Sequence, residues 1–200
     1  MFYFKLNSTT DMDFLKNRTF LFFVAKFLLL FGLFYYGTIF MIGLCAPGGY
    51  YSEFAANYLD YISFIKVTLM KGAAVVASWF GYETVENPGF IVRVVGARGV
   101  IIAYDCVGYG VLSFWAAYTL ANHVKWKRTL IWLLGGFILL WTINVLRIGL
   151  FLVAINKGWP MPLGLDHHTW FNIFAYGAIF LMIFWFEKKN KVNASANGKE

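Results

Sequence analysis

Thr129–Ile155 reads TLIWLLGGFILLWTINVLRIGLFLVAI, with Arg147 as its only charge among leucines, isoleucines and aromatics. A helix needs about 20 apolar residues to cross a hydrocarbon core roughly 30 Å thick, so this run predicts a membrane span. Just before it stands the basic stretch His123–Arg128, with Lys125, Lys127 and Arg128. Short basic loops remain cytoplasmic, which assigns the lower end of the helix to the inner side. The pattern repeats on either side. Thr19–Leu44 follows Lys16 and Arg18, and Thr169–Phe186 precedes Lys188, Lys189 and Lys191. A fourth run, Cys106–Asn122, is shorter but uninterrupted by charge, and it opens with Gly108 and Gly110.

Composition agrees with a chain dissolved in lipid. Of 200 residues, 60% are hydrophobic and only 14% charged. The mean hydropathy is +0.63, and ordinary soluble domains are nearer ~25% charged. A net charge of +7 raises the possibility of a nucleic-acid partner. The basic residues instead sit in short clusters beside apolar runs, so the expected partner is membrane lipid and not nucleic acid. Residues 1–18 are polar and mixed, and Thr19–Leu44 is too long for a signal core, so no cleavable signal peptide is expected.

With the N-terminus inside, four spans place every basic cluster on the cytoplasmic side and leave Lys157 in the short outer loop 156–168. Glu53–Phe80 tempts a fifth span, but it carries Asp60, Lys66 and Lys71. Glu53, Asn57, Asp60 and Ser63 recur at helical spacing. A further crossing breaks the charge rule, so this segment is expected to be an amphipathic helix on the outer face, or one re-entering the membrane. Asn87-Pro88-Gly89 marks a turn. Phe90–Val95 and Val100–Tyr104 then read as two strands of a small outer β-hairpin leading into Cys106. The expected fold is therefore an all-α polytopic membrane protein with about four transmembrane helices, one outer helix and one hairpin. Residues 1–18 form a cytoplasmic segment, and 19–186 a single membrane domain with an outer insertion over 45–105. Residues 187–200 form a polar cytoplasmic tail, expected to be disordered.

Ionisable residues within spans are costly and are functional hypotheses by default. Helices rise 1.5 Å per residue, which puts Cys106 roughly 24 Å above Asn122, Arg147 roughly 27 Å above Thr129 and His168 roughly 27 Å above Phe186. Three helices thus bring a thiol, a guanidinium and an imidazole to one outer depth. Each has a plainer reading. Cys106 also reads as a small buried hydrophobe or as the disulfide partner of Cys45. Arg147 can snorkel to the interface, although Asn144 lies one turn below it on the same helix face. His167 and His168 can sit at the start of the last helix with Asp166 as its cap. Together the three groups suit acyl transfer. A thiolate is the nucleophile and a neighbouring cation favours it, His moves protons near neutral pH, and Arg offers fixed donors to an oxyanion. No metal or cofactor is implied by this chemistry.

The order of these features resembles the exosortase/archaeosortase family of membrane cysteine transpeptidases. It comprises the outer helix, the Gly81–Gly89 turn region, the strand pair, Tyr104-Asp105-Cys106-Val107-Gly108, Asn144-Val145-Leu146-Arg147-Ile148, and His at the head of the last span. The likeness covers roughly residues 54–186. Two departures stand out. Val107 occupies a position where many members carry Ser or Thr, and His168 is followed by Asn172 where many have Gly; the spacing favours His168 over His167. The resemblance implies a compact member in the inner membrane of a prokaryote, with its site facing out. It implies Cys106, Arg147 and His168 as catalytic residues, with His167, Asn144, Asp105 and Asn172 as supporting or alternative ones. The substrate would be a secreted protein with a C-terminal sorting signal, and the acceptor a surface polysaccharide or lipid.

Other functions fit the sequence less well. A metal or haem site would have to join His167 and His168 to His123, which lies on the inner side. A non-catalytic assembly factor for a secretion or polysaccharide system predicts that Cys106, Arg147 and His168 each tolerate substitution. A transporter is disfavoured by four spans, no repeat and few intramembrane charges.

Overall fold

The structure, a computed structural model, describes residues 18–46, 48, 50–122, 125–159, 164 and 167–197, without the side chains of 167, 168, 171 and 189–197. The expectations for residues 1–17, His123, Asp166 and 198–200 lie outside these residues. The elements in chain order are α1 (Arg18–Cys45), α2 (Glu53–Tyr58), α3 (Tyr61–Ser78), β1 (Thr84–Asn87), β2 (Ile91–Val94) and β3 (Gly99–Ile101). There follow a 3₁₀ turn (Tyr104–Val107), α4 (Tyr109–Ala121), α5 (Trp126–Lys157) and α6 (His167–Asn197).

The chain is mostly helical, and three described helices are long and apolar enough to cross a membrane: α1, α3 and α5. Helix α1 buries none of its residues within the protein. A helix this apolar, with no buried face, needs an apolar solvent around it.

Helix α5 is the axis of the fold. Its 32 residues extend about 48 Å, well beyond a hydrocarbon core of about 30 Å. Its lower half packs against α4 and α6, both antiparallel to it. The Trp115 indole lies on Gly136 and donates to the Trp132 carbonyl at 3.1 Å. The Trp132 and Phe186 rings meet edge to face at 5.4 Å. Helix α1 runs antiparallel to α4, with Phe27 on Phe114 at 5.2 Å and Tyr35 on Tyr109 at 5.4 Å.

The upper half of α5 packs against α3, which runs parallel to it. Trp141 donates to Thr68 Oγ1 at 3.1 Å. Higher up, Gly72 faces Val145 and Gly149 faces Val76 so closely that a Cβ on either glycine would clash. Small residues allow this approach of two backbones, as in membrane helix pairs generally. Thus α3 and α4 occupy successive lengths of α5, and they meet near Asn144, where Ile65, Val107 and Leu140 line one small pocket. Two cores result. The upper one gathers α3, the sheet, Cys106 and Val145–Val153. The lower one gathers α4, Leu140 and α6.

Four expectations change. Residues 53–80 form two helices and not one amphipathic stripe, because Asp60 caps α3. Its carboxylate accepts from Ser63 N at 2.9 Å and Ser63 Oγ at 2.5 Å, so two of the supposed stripe residues are engaged at a helix start. Helix α3 then buries Ile62, Leu69, Met70, Ala73, Val76 and Ala77, which makes it a core helix.

The expected hairpin is a three-stranded antiparallel sheet in the order β1-β2-β3. Asn87-Pro88-Gly89 does turn, with Gly89 at φ 83° and Phe90 at φ 61°. Its first arm is Thr84-Val85-Glu86-Asn87, paired to β2 from Thr84–Val94 to Asn87–Ile91. That strand is mostly exposed, so it carries no hydrophobic alternation to reveal it.

Cys106 lies in the 3₁₀ turn, not in a spanning helix. Helix α4 begins only at Tyr109 and its 13 residues rise about 20 Å. Finally, α6 continues through the lysine cluster to Asn197, where a disordered tail was expected. Lys and Ala extend a helix that is already nucleated.

Candidate active site

The turn bearing Cys106 is set by its flanking residues. Ala103 is extended (φ −68°, ψ 171°) and Gly108 adopts the left-handed conformation (φ 73°, ψ 28°). An L-residue at Gly108 would be strained. The Cys106 amide donates back to the Ala103 carbonyl at 3.1 Å. The turn points the carbonyls of Cys106 and Val107 at α5.

Two side chains of α5 receive them. Asn144 Nδ2 donates to the Cys106 carbonyl at 2.7 Å and to the Val107 carbonyl at 3.3 Å. Two carbonyl acceptors fix which way the amide points. Its Oδ1 is buried and takes no hydrogen bond from a described residue. One turn higher, Arg147 Nη2 donates to the same Cys106 carbonyl at 3.3 Å. That bond holds the Arg147 guanidinium beside the cysteine turn. Asn144, expected as a supporting residue one turn below Arg147, holds the cysteine turn itself.

Cys106 is 6% exposed and both cysteines are free thiols. Burial, with Asp60 and Cys45 nearby, raises the Tyr104 phenol above its ordinary value. Asp105 is exposed, as is Asn172 on α6.

His167 and His168 form the first residues of α6, but their side chains are outside the description. Their depth follows from the backbone. Counted from the Trp132–Phe186 contact, Arg147 lies about 22 Å up α5 and His168 about 27 Å up α6. The start of α6 therefore stands about one turn above Arg147.

Lys66 was absent from the sequence-derived site. It is 5% exposed, with its Nζ 4.1 Å from the Phe90 ring centroid and 4.2 Å from that of Tyr104. The available signal was chemical, because a Lys inside an apolar helix is a functional candidate by default.

Below the turn, a cavity of about 960 Å³ opens between α1, α3, α4 and α5. Leu33, Phe34, Phe64, Leu112, Phe137 and Trp141 line it, and it reaches up to Val107, the neighbour of Cys106.

The chain matches no protein-family model, no curated protein and no solved structure. The argument for function therefore rests on the chemistry of the Cys106 turn.

Proposed function

We propose that the chain is a membrane-embedded cysteine peptidase-transpeptidase, the activity expected of an exosortase-like protein. One observation carries this reading: Arg147 and Asn144, one turn apart on α5, both donate to the carbonyl of the buried Cys106, which holds a guanidinium against the cysteine turn. A guanidinium held against a thiol is poised to stabilise the thiolate or an oxyanion formed beside it.

In the proposed reaction the Cys106 sulfur attacks a backbone carbonyl of the substrate. His168 takes the thiol proton and returns it to the leaving amine as the peptide bond breaks. The resulting thioester passes to an acceptor nucleophile, which restores the thiol. Arg147 holds the negative charge in both steps. The substrate is a secreted protein with a C-terminal sorting signal, and the acceptor is a surface polysaccharide or lipid. In this reading α1, α4, α5 and α6 cross the inner membrane with both termini inside, and the site opens outward. Helix α3 and the sheet cover the upper half of α5 on the outer side, since the first turns of α3 meet the upper, N-terminal end of α4. The apolar cavity below Val107 suits an apolar segment that follows the cleaved bond.

The experiment compares secreted proteins from cells producing the wild type and Cys106→Ala, read by mass spectrometry of their C-termini. Retention of the sorting segment in the variant supports the reading. Full processing by Cys106→Ala overturns it.

A competing reading has one observation in its favour: Cys106 belongs to the upper core with Val92, Ile102 and Val145. A non-catalytic assembly protein would use Cys106 as a small core residue, with Asn144 and Arg147 as caps on its turn. Under that reading Cys106→Ala retains full function.

A further inference from the structure

The reaction above leaves Lys66 unused. It projects from α3 between Phe90, at the start of β2, and Tyr104, the first residue of the Cys106 turn. These two elements are tied together, since Ile102 N donates to the Phe90 carbonyl at 2.9 Å. Two aromatic faces attract the ammonium, but neither carries a charge to neutralise it. Among the described residues Lys66 makes no hydrogen bond or ion pair.

Two acidic groups belong to the elements that enclose it: Asp60, which caps α3, and Cys106, two residues after Tyr104 in the turn. Asp60 already accepts two hydrogen bonds at the start of α3. A buried cation with no fixed counter-ion is costly, and it is retained where negative charge comes and goes. The charged and titratable groups of these elements are Lys66 and Asp60 on α3, Arg147 on α5, and Tyr104 and Asp105 in the turn itself.

We propose that Lys66 is a second cation of the Cys106 site, acting from α3 as Arg147 acts from α5, so that negative charge at the sulfur is held between two helices. The proposal rests on Cys106 being the reactive thiol. Its test, however, needs no peptide substrate. Lys66 acts here as a positioning charge, and its packing role is separable from its charge.

The test uses full-length protein in detergent with Cys45→Ser, which leaves Cys106 as the only thiol. Alkylation of Cys106 is timed by mass spectrometry with neutral iodoacetamide and with anionic iodoacetate at one pH. Lys66→Met keeps the aliphatic stem and removes the charge, whereas Lys66→Arg keeps the charge. The expected result is that Lys66→Met lowers the iodoacetate-to-iodoacetamide rate ratio roughly tenfold, as a lost cation should for an anionic reagent, and Lys66→Arg preserves it. A ratio within twofold of the parent in Lys66→Met sinks the proposal, as does a sulfur that neither reagent modifies in the parent. If Lys66→Met does not fold, as judged by gel filtration, Lys66→Gln makes the same comparison. Full substrate processing by Cys106→Ala together with a changed ratio would overturn the enzymatic reading and leave the charge arrangement standing.

Discussion

At its lower end α5 presents Arg128 to the Phe186 ring, with the guanidinium 6.0 Å from the ring centroid. At its upper end it presents Arg147 to Cys106. Around Arg128 the neighbouring polar groups pair with one another: Tyr118 donates to Glu187 at 3.0 Å, and the Trp115 indole to a backbone carbonyl. Around Arg147 the polar groups converge. Asn144, Arg147 and Lys66 reach a single turn from two helices. Pairing of the first kind joins helices. Convergence of the second kind places donors and cations about a thiol, and it costs stability unless a charge is to be met there. On the proposed function, the same residue types do structural work below Asn144 and chemical work above it.

The largest test of that division is Cys106→Ala. Loss of a nucleophile should lower processing by at least about 10³-fold. Because only a sulfur is removed, the midpoint of thermal unfolding in detergent should move little, by an amount equivalent to about 1 kcal/mol. A large loss of stability with intact processing would make the upper half as structural as the lower. Next comes Arg147→Met, expected to reduce processing about 10²–10³-fold, the range seen when one oxyanion donor is removed. Arg147→Lys should recover only part of this. A lysine restores the charge but lacks the rigid planar fork with which Arg147 donates to the Cys106 carbonyl. Steady-state rates on a processed substrate check both variants.

How much of this was legible before the fold was known depends on the range of the information. The one-turn spacing of Asn144 and Arg147 is local, so their shared face could be read directly from Thr129–Ile155. The common depth of Cys106 and Arg147 was reached by counting helical rise from the basic loops. That count survived the discovery that Cys106 sits in a turn, because only Val107 and Gly108 separate it from α4. Lys66 was not legible as a site residue. Its direction depends on Asp60 starting a new helix and on Gly72 and Gly149 setting the register of α3 on α5, and long-range packing leaves no mark in the local pattern. Strand β1 escaped for a related reason: Glu86 and Asn87 face water, so nothing alternates. The sequence also suggested a surface role for α3, since polar residues at helical spacing look alike whether they face solvent or cap a helix.

The lower half should respond in stability and not in chemistry. Gly136→Ala places a Cβ against the Trp115 indole, and both partners are fixed by neighbours. Overpacking of this kind should cost about 1–3 kcal/mol, seen as a lower unfolding midpoint. Processing per folded molecule should stay unchanged. A selective loss of activity in this variant would mean that strain at Trp115 is passed up α4 to the Cys106 turn, and the two halves would no longer be separable.

The smallest expected effect is that of Tyr118→Phe. It removes one hydroxyl, whose bond to Glu187 ties α4 to α6 near the lower end, while the ring keeps its edge contact with Phe186 at 6.1 Å. A partly buried hydrogen bond of this type contributes about 1 kcal/mol, somewhat more with a charged acceptor. The substitution also leaves Glu187 with one donor fewer. A fall in unfolding midpoint equivalent to about 1–2 kcal/mol, with processing untouched, is therefore the expected outcome. The double variant Tyr118→Phe with Glu187→Gln sharpens the point. If the two side chains matter chiefly to each other, the second change should add less than it costs alone, and the difference gives their coupling directly. Full additivity would show that Glu187 answers instead to the basic residues around Arg128, making the lower end of α5 a charged cluster of its own.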